Sequence, residues 1–366
     1  MSGALVLTRL VVAEFRNLEN GVLEFGEGFN VLAGANGQGK TNLLEAVHVL
    51  CATKSFRTSK TQELVRHDTS EENASIQGVF VDEVGERKQA VNINDGRRMV
   101  RVDGKAIRSL AAYAVMSPVV VFHPAELELT MGAAAVRRRL LDRVTAYAKP
   151  ASMSELDAYI KAGRGRQRVL EERGTSARDL DVWEELLANH GVAIARARSE
   201  TLDMLAPFTE RALEAIAGAG HAVKLSYAAT APADVIAYRD KLATTRERDM
   251  HRGSASVGPH RDDLAVVFDA REARTHASQG QHRALTLALK SAEMEFLAST
   301  LGKRPLLLLD DVSSELDPDR THALFSFLRE QRGQVLLTTT RAELIDTGAT
   351  TDRRDFRVEN GRVSRI

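Results

Sequence analysis

The stretch "GANGQGKTN", residues 34–42, constrains this chain more than any other part of it. It follows the apolar run "FNVLA" (29–33), which reads as a strand buried on both faces. It leads into "LLEAVHVL", where Leu43, Val47 and Leu50 recur at helical spacing with Leu44 and Cys51 beside them. Gly34, Gly39, Lys40 and Thr41 fill the pattern G-x-x-x-x-G-K-[ST] of a phosphate-binding loop. Glycines let backbone N–H groups turn inward on an anion, because a Cβ would block the required conformations. The helix that follows offers its own N–H groups and positive dipole end to the same anion. Gly34, Ala35, Asn36, Gly37, Gln38 and Gly39 are therefore expected to cradle the phosphates of a nucleotide. Lys40 is expected to reach the β- and γ-phosphates, and the Thr41 hydroxyl to ligate Mg²⁺.

Such a loop needs a second acid for the metal. "PLLLLDDVSSELD" (305–317) supplies a buried strand ending in Asp310, at the edge where ligands sit in open α/β sheets. Asp310 is the expected Mg²⁺ partner of Thr41, and Asp311 can orient an attacking water. "SSELD" continues as a loop of the kind that crosses to a second subunit.

A third element, "ASQGQHRALTLALKSAEMEF", begins with Ser278, Gly280 and Gln281 and becomes a helix with Leu285, Leu289, Ala292 and Phe296 on one face. A serine and a glycine at a helix N-terminus can form another anion site. One active site needs two phosphate cradles only if each serves a different nucleotide. Taken alone, "SQGQ" is also a simple N-cap with a glycine turn.

The rest of the chain frames these motifs. "LVLTRLVVAEFRNL" and "GVLEF" read as antiparallel strands, and "KQAVNI" and "RRMVRV" flank the hairpin signal "NDG". "PVVVF" (118–122) and "QVLLTT" read as further buried strands, and "AVKLSYA" and "LAVVFD" as strands resuming near residue 222. A helix is expected near 319–331. From about Glu126 to Ala217 the chain is rich in Ala, Leu, Arg and Glu at helical spacing, with a break at "KAGRGRQR" or "RGTSARD". The expected organisation is an α/β domain in two parts, 1–125 and 222–366, with a helical domain inserted at 126–221.

Fifty basic residues balance fifty acidic ones, so any nucleic-acid surface must be a local patch. Candidate patches are Lys54, Arg57 and Lys60; Arg97, Arg98 and Arg101; Arg137, Arg138 and Arg139; and Lys161, Arg164, Arg166 and Arg168. Any single one of them reads more readily as a solvated face. Aromatics are 5% of residues and do not interleave with the basic ones, which argues against base stacking and for phosphate contact. No apolar run has membrane length, no signal peptide is visible at the start, and Cys51 is the single cysteine. A core role for Cys51 and a reducing, cytoplasmic setting without membrane attachment are expected.

Together these motifs resemble the heads of ATP-binding-cassette ATPases, in their SMC/Rad50-like branch. "ASQGQ" resembles the signature sequence of that superfamily, and "LLLLDDVSSELD" its Walker B strand running into the D-loop. "EFRNLEN", "SFRT" (55–58), "VGPHRDDL" (257–264) and "ASQGQHR" closely resemble the RecF family, in the same order and across essentially the whole chain.

The resemblance implies an ABC-type head, a P-loop core with an antiparallel β subdomain, plus the helical insert. It implies a slow ATPase and molecular switch in which Lys40, Thr41, Asp310 and Asp311 act in cis and Ser278, Gly280 and Gln281 in trans. It also implies an ATP-dependent homodimer holding gapped, single-stranded or duplex DNA in recombinational repair and replication restart, with RecR and RecO mediators as partners. Two departures point to slow hydrolysis. Asp311 stands where many cassette ATPases have Glu, and Thr338, Thr339 or Thr340 replaces the switch histidine. His123 to Glu126 is the candidate for the glutamine-bearing loop. The alternative, an ATPase subunit of a membrane transporter, fits the long gap between loop and signature poorly. A metabolic P-loop kinase leaves "ASQGQ" without a job, and "HRDD" fails as a protein-kinase loop because position 267 is Val267.

Overall fold

A computed structural model describes residues 3–67, 73–107, 109–311, 326, 333–348 and 352–366. The chain divides into two compact units, residues 1–126 with 293–366, and residues 127–292.

The first unit holds two six-stranded sheets. One has the order Arg362–Arg365, Arg353–Glu359, Phe29–Ala33, Val335–Thr339, Leu306–Leu309 and Val119–Phe122. Its last five strands are mutually parallel. The runs "VVVF", "LLLL" and "VLLTT" are buried at every position, as expected of strands covered on both faces. The other sheet is antiparallel, in the order Gly21–Glu24, Val6–Ala13, Asn73–Asp82, Gly85–Asn94, Arg97–Val102 and Lys105–Ala106. The "NDG" hairpin forms as its sequence dictates, with Asp95 and Gly96 both at positive φ (48° and 68°).

The helix Lys40–Ala52 packs against both sheets, and ten of its residues, from Lys40 to Cys51, are buried. Leu43, Leu44, Val47 and Leu50 join one core with Leu32, Leu308 and Leu336 of the parallel sheet. Ile76, Phe80 and Val91 of the antiparallel sheet belong to the same core. Cys51 is fully buried within it, and burial drives its thiol pKa far upward. The helical spacing predicted one apolar stripe; the structure buries the helix nearly all round, because a sheet lies on each side.

The second unit contains the long helices Ala134–Ala148, Ser152–Arg173 and Leu180–Ala217. Of the two candidate breaks, "KAGRGRQR" lies inside a helix, where Gly165 faces the Trp183 ring. The chain breaks instead at Gly174, within "RGTSARD". The antiparallel strands Val223–Ala228 and Asp263–Phe268 also belong to this unit, as does the chain up to Ala292. The sequence assigned residues from 222 onward to the α/β domain. They group with the helices because the new sheet packs on Ala134–Ala148 and Leu180–Ala217, and because Arg137 grips Asp263 through two 2.8 Å hydrogen bonds.

Arg166, 1% exposed, is the electrostatic centre of these helices. It donates to Glu184 (2.9 Å), Asp249 (3.0 Å) and the Leu242 carbonyl (2.8 Å). Among the described residues no helix is long and apolar enough to cross a membrane. The helix expected near 319–331 and the "SSELD" loop lie outside the described residues, apart from Ser326.

Arg166→Met should destabilise the protein by about 3 kcal/mol, because it leaves buried Asp249 without its cation and Glu184 with Arg246 alone. Denaturant unfolding of wild type and variant measures this, and a loss below about 1 kcal/mol would contradict the arrangement.

Candidate nucleotide site

Parallel strands end on the same edge of a sheet. Here Gly34, His123, Asp310 and Thr340 each follow the last residue of a parallel strand, so four chain segments meet at one rim. The loop after Ala33 keeps its tip open, with Ala35, Asn36 and Gly37 exposed. Its two ends are fixed tightly. A Cβ on Gly34 would stand 2.3 Å from the Val358 carbonyl oxygen of the neighbouring strand. Gly39 has φ 109°, and its Cβ would meet the Asn17 side chain at 3.0 Å. The C-terminal hairpin holds the loop from outside: Gln38 accepts the Gly361 N–H on its carbonyl (2.8 Å) and the Asn360 N–H on Oε1 (2.6 Å).

Lys40 is 6% exposed, and its ammonium donates to the carbonyls of Gly34 (2.7 Å) and Ala35 (2.9 Å). Burial lowers its pKa below the ordinary lysine value, while Asp311 and Asp310 pull it upward. Both acids are therefore within electrostatic reach of the loop's cation. The Thr41 hydroxyl donates to Asp310 Oδ1 at 2.8 Å, across 269 positions of sequence. A hydroxyl and a carboxylate side by side at the mouth of an anion cradle are hard oxygen donors of the kind Mg²⁺ takes with a phosphate. The residues fit that ion.

Of the three threonines considered for the switch position, Thr338 is the one bonded to Asp310. Its hydroxyl donates to Asp310 Oδ1 (2.9 Å) and accepts the Asp311 N–H (2.9 Å). Thr339 turns to Arg341, whose N–H it accepts and whose carbonyl it bonds, and Thr340 is exposed.

The unassigned motifs "EFRN" and "SFRT" converge on the same helix. Glu45, fully buried, takes two 3.0 Å bonds from Arg16, one from the Ser55 hydroxyl and a 3.4 Å contact from Arg57. Arg57 also donates to Asn42 (2.7 Å), which donates to Asn17 (2.7 Å). A glutamate inside an otherwise apolar helical stripe is the sequence signal for this cluster. His123 stacks on Phe56 at 5.2 Å and pairs with Glu126 at 3.3 Å.

Ser278, Gly280 and Gln281 belong to the second unit. They form a reciprocal cap: the Ser278 N–H donates to Gln281 Oε1 (2.7 Å) and the Gln281 N–H to Ser278 Oγ (3.3 Å). The basic clusters are thinned by burial. Arg137 and Arg166 are interior ion-pair residues, Arg138 donates to the Asp262 carbonyl, and Arg98 to that of Thr53. Arg97 and Arg101 remain exposed on one face of the antiparallel sheet, with exposed Lys88 and Arg9 on the same face by register. Arg139, Lys161, Arg164 and Arg168 are exposed on the second unit.

Known proteins match this arrangement over its full length. Residues 6–362 fit the family model of the RecF/RecN/SMC N-terminal domain. DNA replication and repair protein RecF of Anaeromyxobacter sp. (strain Fw109-5) is 42% identical over 98% of both chains. The chain belongs to the RecF family. RecF of Myxococcus xanthus is 39% identical over 98% of this chain and 97% of its own length. A solved structure of the recombination mediator RecF with ATP superposes with a TM-score of 0.89 at 29% identity, covering 99% of this chain and 98% of that one. An Smc head domain from Pyrococcus furiosus shares the fold at a TM-score of 0.59 and 16% identity, covering 99% and 96%. The architecture is thus the ABC-type ATPase head expected from the motifs.

Glu45→Ala should cost about 3 kcal/mol, since it leaves the largely buried Arg16 without its carboxylate. Arg57→Ala, at a side chain 45% exposed, should cost under about 1 kcal/mol. Paired denaturation curves distinguish the two, and equal losses would remove Glu45 from the centre of the cluster.

Proposed function

We propose that the protein binds ATP with Mg²⁺ at the loop 34–41, dimerises around the nucleotide and holds DNA during recombinational repair and replication restart. The observation that carries the reading is the Thr41–Asp310 bond beside the ammonium of Lys40. It joins a phosphate cradle to a metal-holding acid. The family's name for its members, and the solved RecF–ATP complex in the RecFOR pathway, support the ATP and DNA parts and the mediators RecR and RecO as partners. Full-length relatedness to RecF speaks against the transporter and kinase alternatives.

The residues divide the work. Backbone N–H groups of residues 35–41 and the Lys40 ammonium bind the phosphates. Thr41 and Asp310 hold Mg²⁺, which neutralises charge on the phosphates when bound. Asp311 orients water, and its short arm suits slow turnover, so hydrolysis resets a switch. The signature at 278–281 caps the nucleotide of a second copy. Its capping box uses the N–H of Gln281, and helix geometry leaves those of Gln279 and Gly280 without intrahelical acceptors. DNA is met by phosphate contact, with Arg97, Arg101, Lys88 and Arg9, and the cluster Lys54, Arg57 and Lys60, as exposed candidates on the first unit.

The test is binding to gapped, single-stranded and duplex DNA with ATP, ADP or no nucleotide, beside gel filtration. Lys40→Met should lose ATP-dependent dimerisation and ATP-dependent DNA binding together. Ser278→Arg should keep near-normal ATP affinity yet lose dimerisation and hydrolysis; loss of ATP affinity in the folded variant would sink the trans arrangement. A footprint of about six phosphates predicts a log–log salt slope of about −5 on duplex DNA, and a flat response excludes phosphate contact.

A further inference from the structure

We infer that Thr338 is a positioning residue for the nucleotide site, one hydroxyl that sets both Asp310 and Asp311. This rests on the ATP–Mg²⁺ reading above and names a residue which that reading does not use. Thr338 is 2% exposed, on the buried strand Val335–Thr339 next to the Asp310 strand. Its two bonds are fixed in sense by their partners. A carboxylate oxygen can only accept and a backbone N–H can only donate, so the Thr338 O–H points at Asp310 Oδ1 and its lone pair faces the Asp311 N–H. No rotation of the hydroxyl serves both partners in any other way.

Each bond has a job. Asp310 Oδ1 receives hydroxyls from two elements, Thr41 at 2.8 Å and Thr338 at 2.9 Å. Thr338 therefore fixes the carboxylate independently of Thr41. A carboxylate fixed from behind offers its oxygens to an ion in one orientation, as groups outside the ligand sphere do for metal ligands generally. Asp311 has φ 50°, a left-handed conformation uncommon for a residue with a Cβ. Its N–H bond to Thr338 holds that backbone turn, and the turn sets where the Asp311 side chain leaves the strand end. The β-branched side chain is also stiff at χ1 on a buried strand, so the hydroxyl itself is held in place.

Thr338→Val keeps the shape, removes the hydroxyl and leaves the Asp311 N–H without its acceptor. Thr338→Ser keeps the hydroxyl and removes a methyl. The experiment measures ATP affinity by equilibrium binding in Mg²⁺ and in EDTA, with ligand-free melting as a control for folding. Wild type should bind ATP more tightly with Mg²⁺. Thr338→Val should lose about 10-fold or more of that Mg²⁺ enhancement while its EDTA affinity stays near wild type. Thr338→Ser should recover most of the enhancement. If Thr338→Val does not fold, Thr338→Ala replaces it in the same comparison. Full enhancement in a hydroxyl-free variant overturns the inference alone, as does a serine variant no better than valine. A wild-type protein without Mg²⁺-dependent ATP binding overturns the reading of the site and this inference with it.

Discussion

The helix Lys40–Ala52 is clamped between a parallel and an antiparallel sheet, and the rest of the first unit is arranged around that burial. A helix apolar on nearly every face is stable only when covered on every side. The two sheets supply that cover through Leu32, Leu308 and Leu336 on one side and Ile76, Phe80 and Val91 on the other. With the helix fixed, its N-terminus is fixed too, and with it the loop whose backbone must meet an anion. The loop is then bounded by the Val358 carbonyl at Gly34 and by Asn17 at Gly39. The two ends of the cradle are thus set before any ligand arrives, which lowers the ordering cost of binding.

Burial on all sides also forces the helix's polar residues to find partners inside the protein. Glu45 is fully buried and is met by Arg16, Arg57 and Ser55. The same contacts carry the chain segments 14–17 and 55–58 to the side of Asn42, one residue beyond Thr41. Two stretches whose purpose was not legible in the sequence are thus the supports of the loop helix. At the same rim, Asp310 plays the corresponding part, with hydroxyls from Thr41 and Thr338 converging on one of its oxygens.

The second unit shows the same rule applied to arginine. Arg137, Arg166 and Arg198 are each at most 4% exposed and are consumed by Asp263, by Glu184 with Asp249, and by Asp142. As a sequence feature, "RRR" or "KAGRGRQR" advertises a basic patch. In the fold, Arg137 of the first cluster and Arg166 of the second turn inward as struts, while Arg139, Arg164 and Arg168 keep their charge in solvent.

The sequence by itself determined the phosphate loop, the strands that precede and accompany it, the hairpin at Asp95-Gly96 and the family. These are local patterns: glycine spacing, apolar runs and turn residues act over a few positions, and their physics is complete within them. It also placed Asp310 at a strand end, because an acid after four buried leucines has only that location. Tertiary structure alone decided the rest. Residues 222–292 joined the helical unit through packing on Ala134–Ala148 and Leu180–Ala217, which no local pattern encodes. Gly165 stayed inside a helix because Trp183 lies against it, where composition suggested a break. Thr338, one of three adjacent threonines, was singled out by strand register: alternation along Val335–Thr339 and pairing with Leu306–Leu309 bring one hydroxyl, and not its neighbours, onto the carboxylate of Asp310.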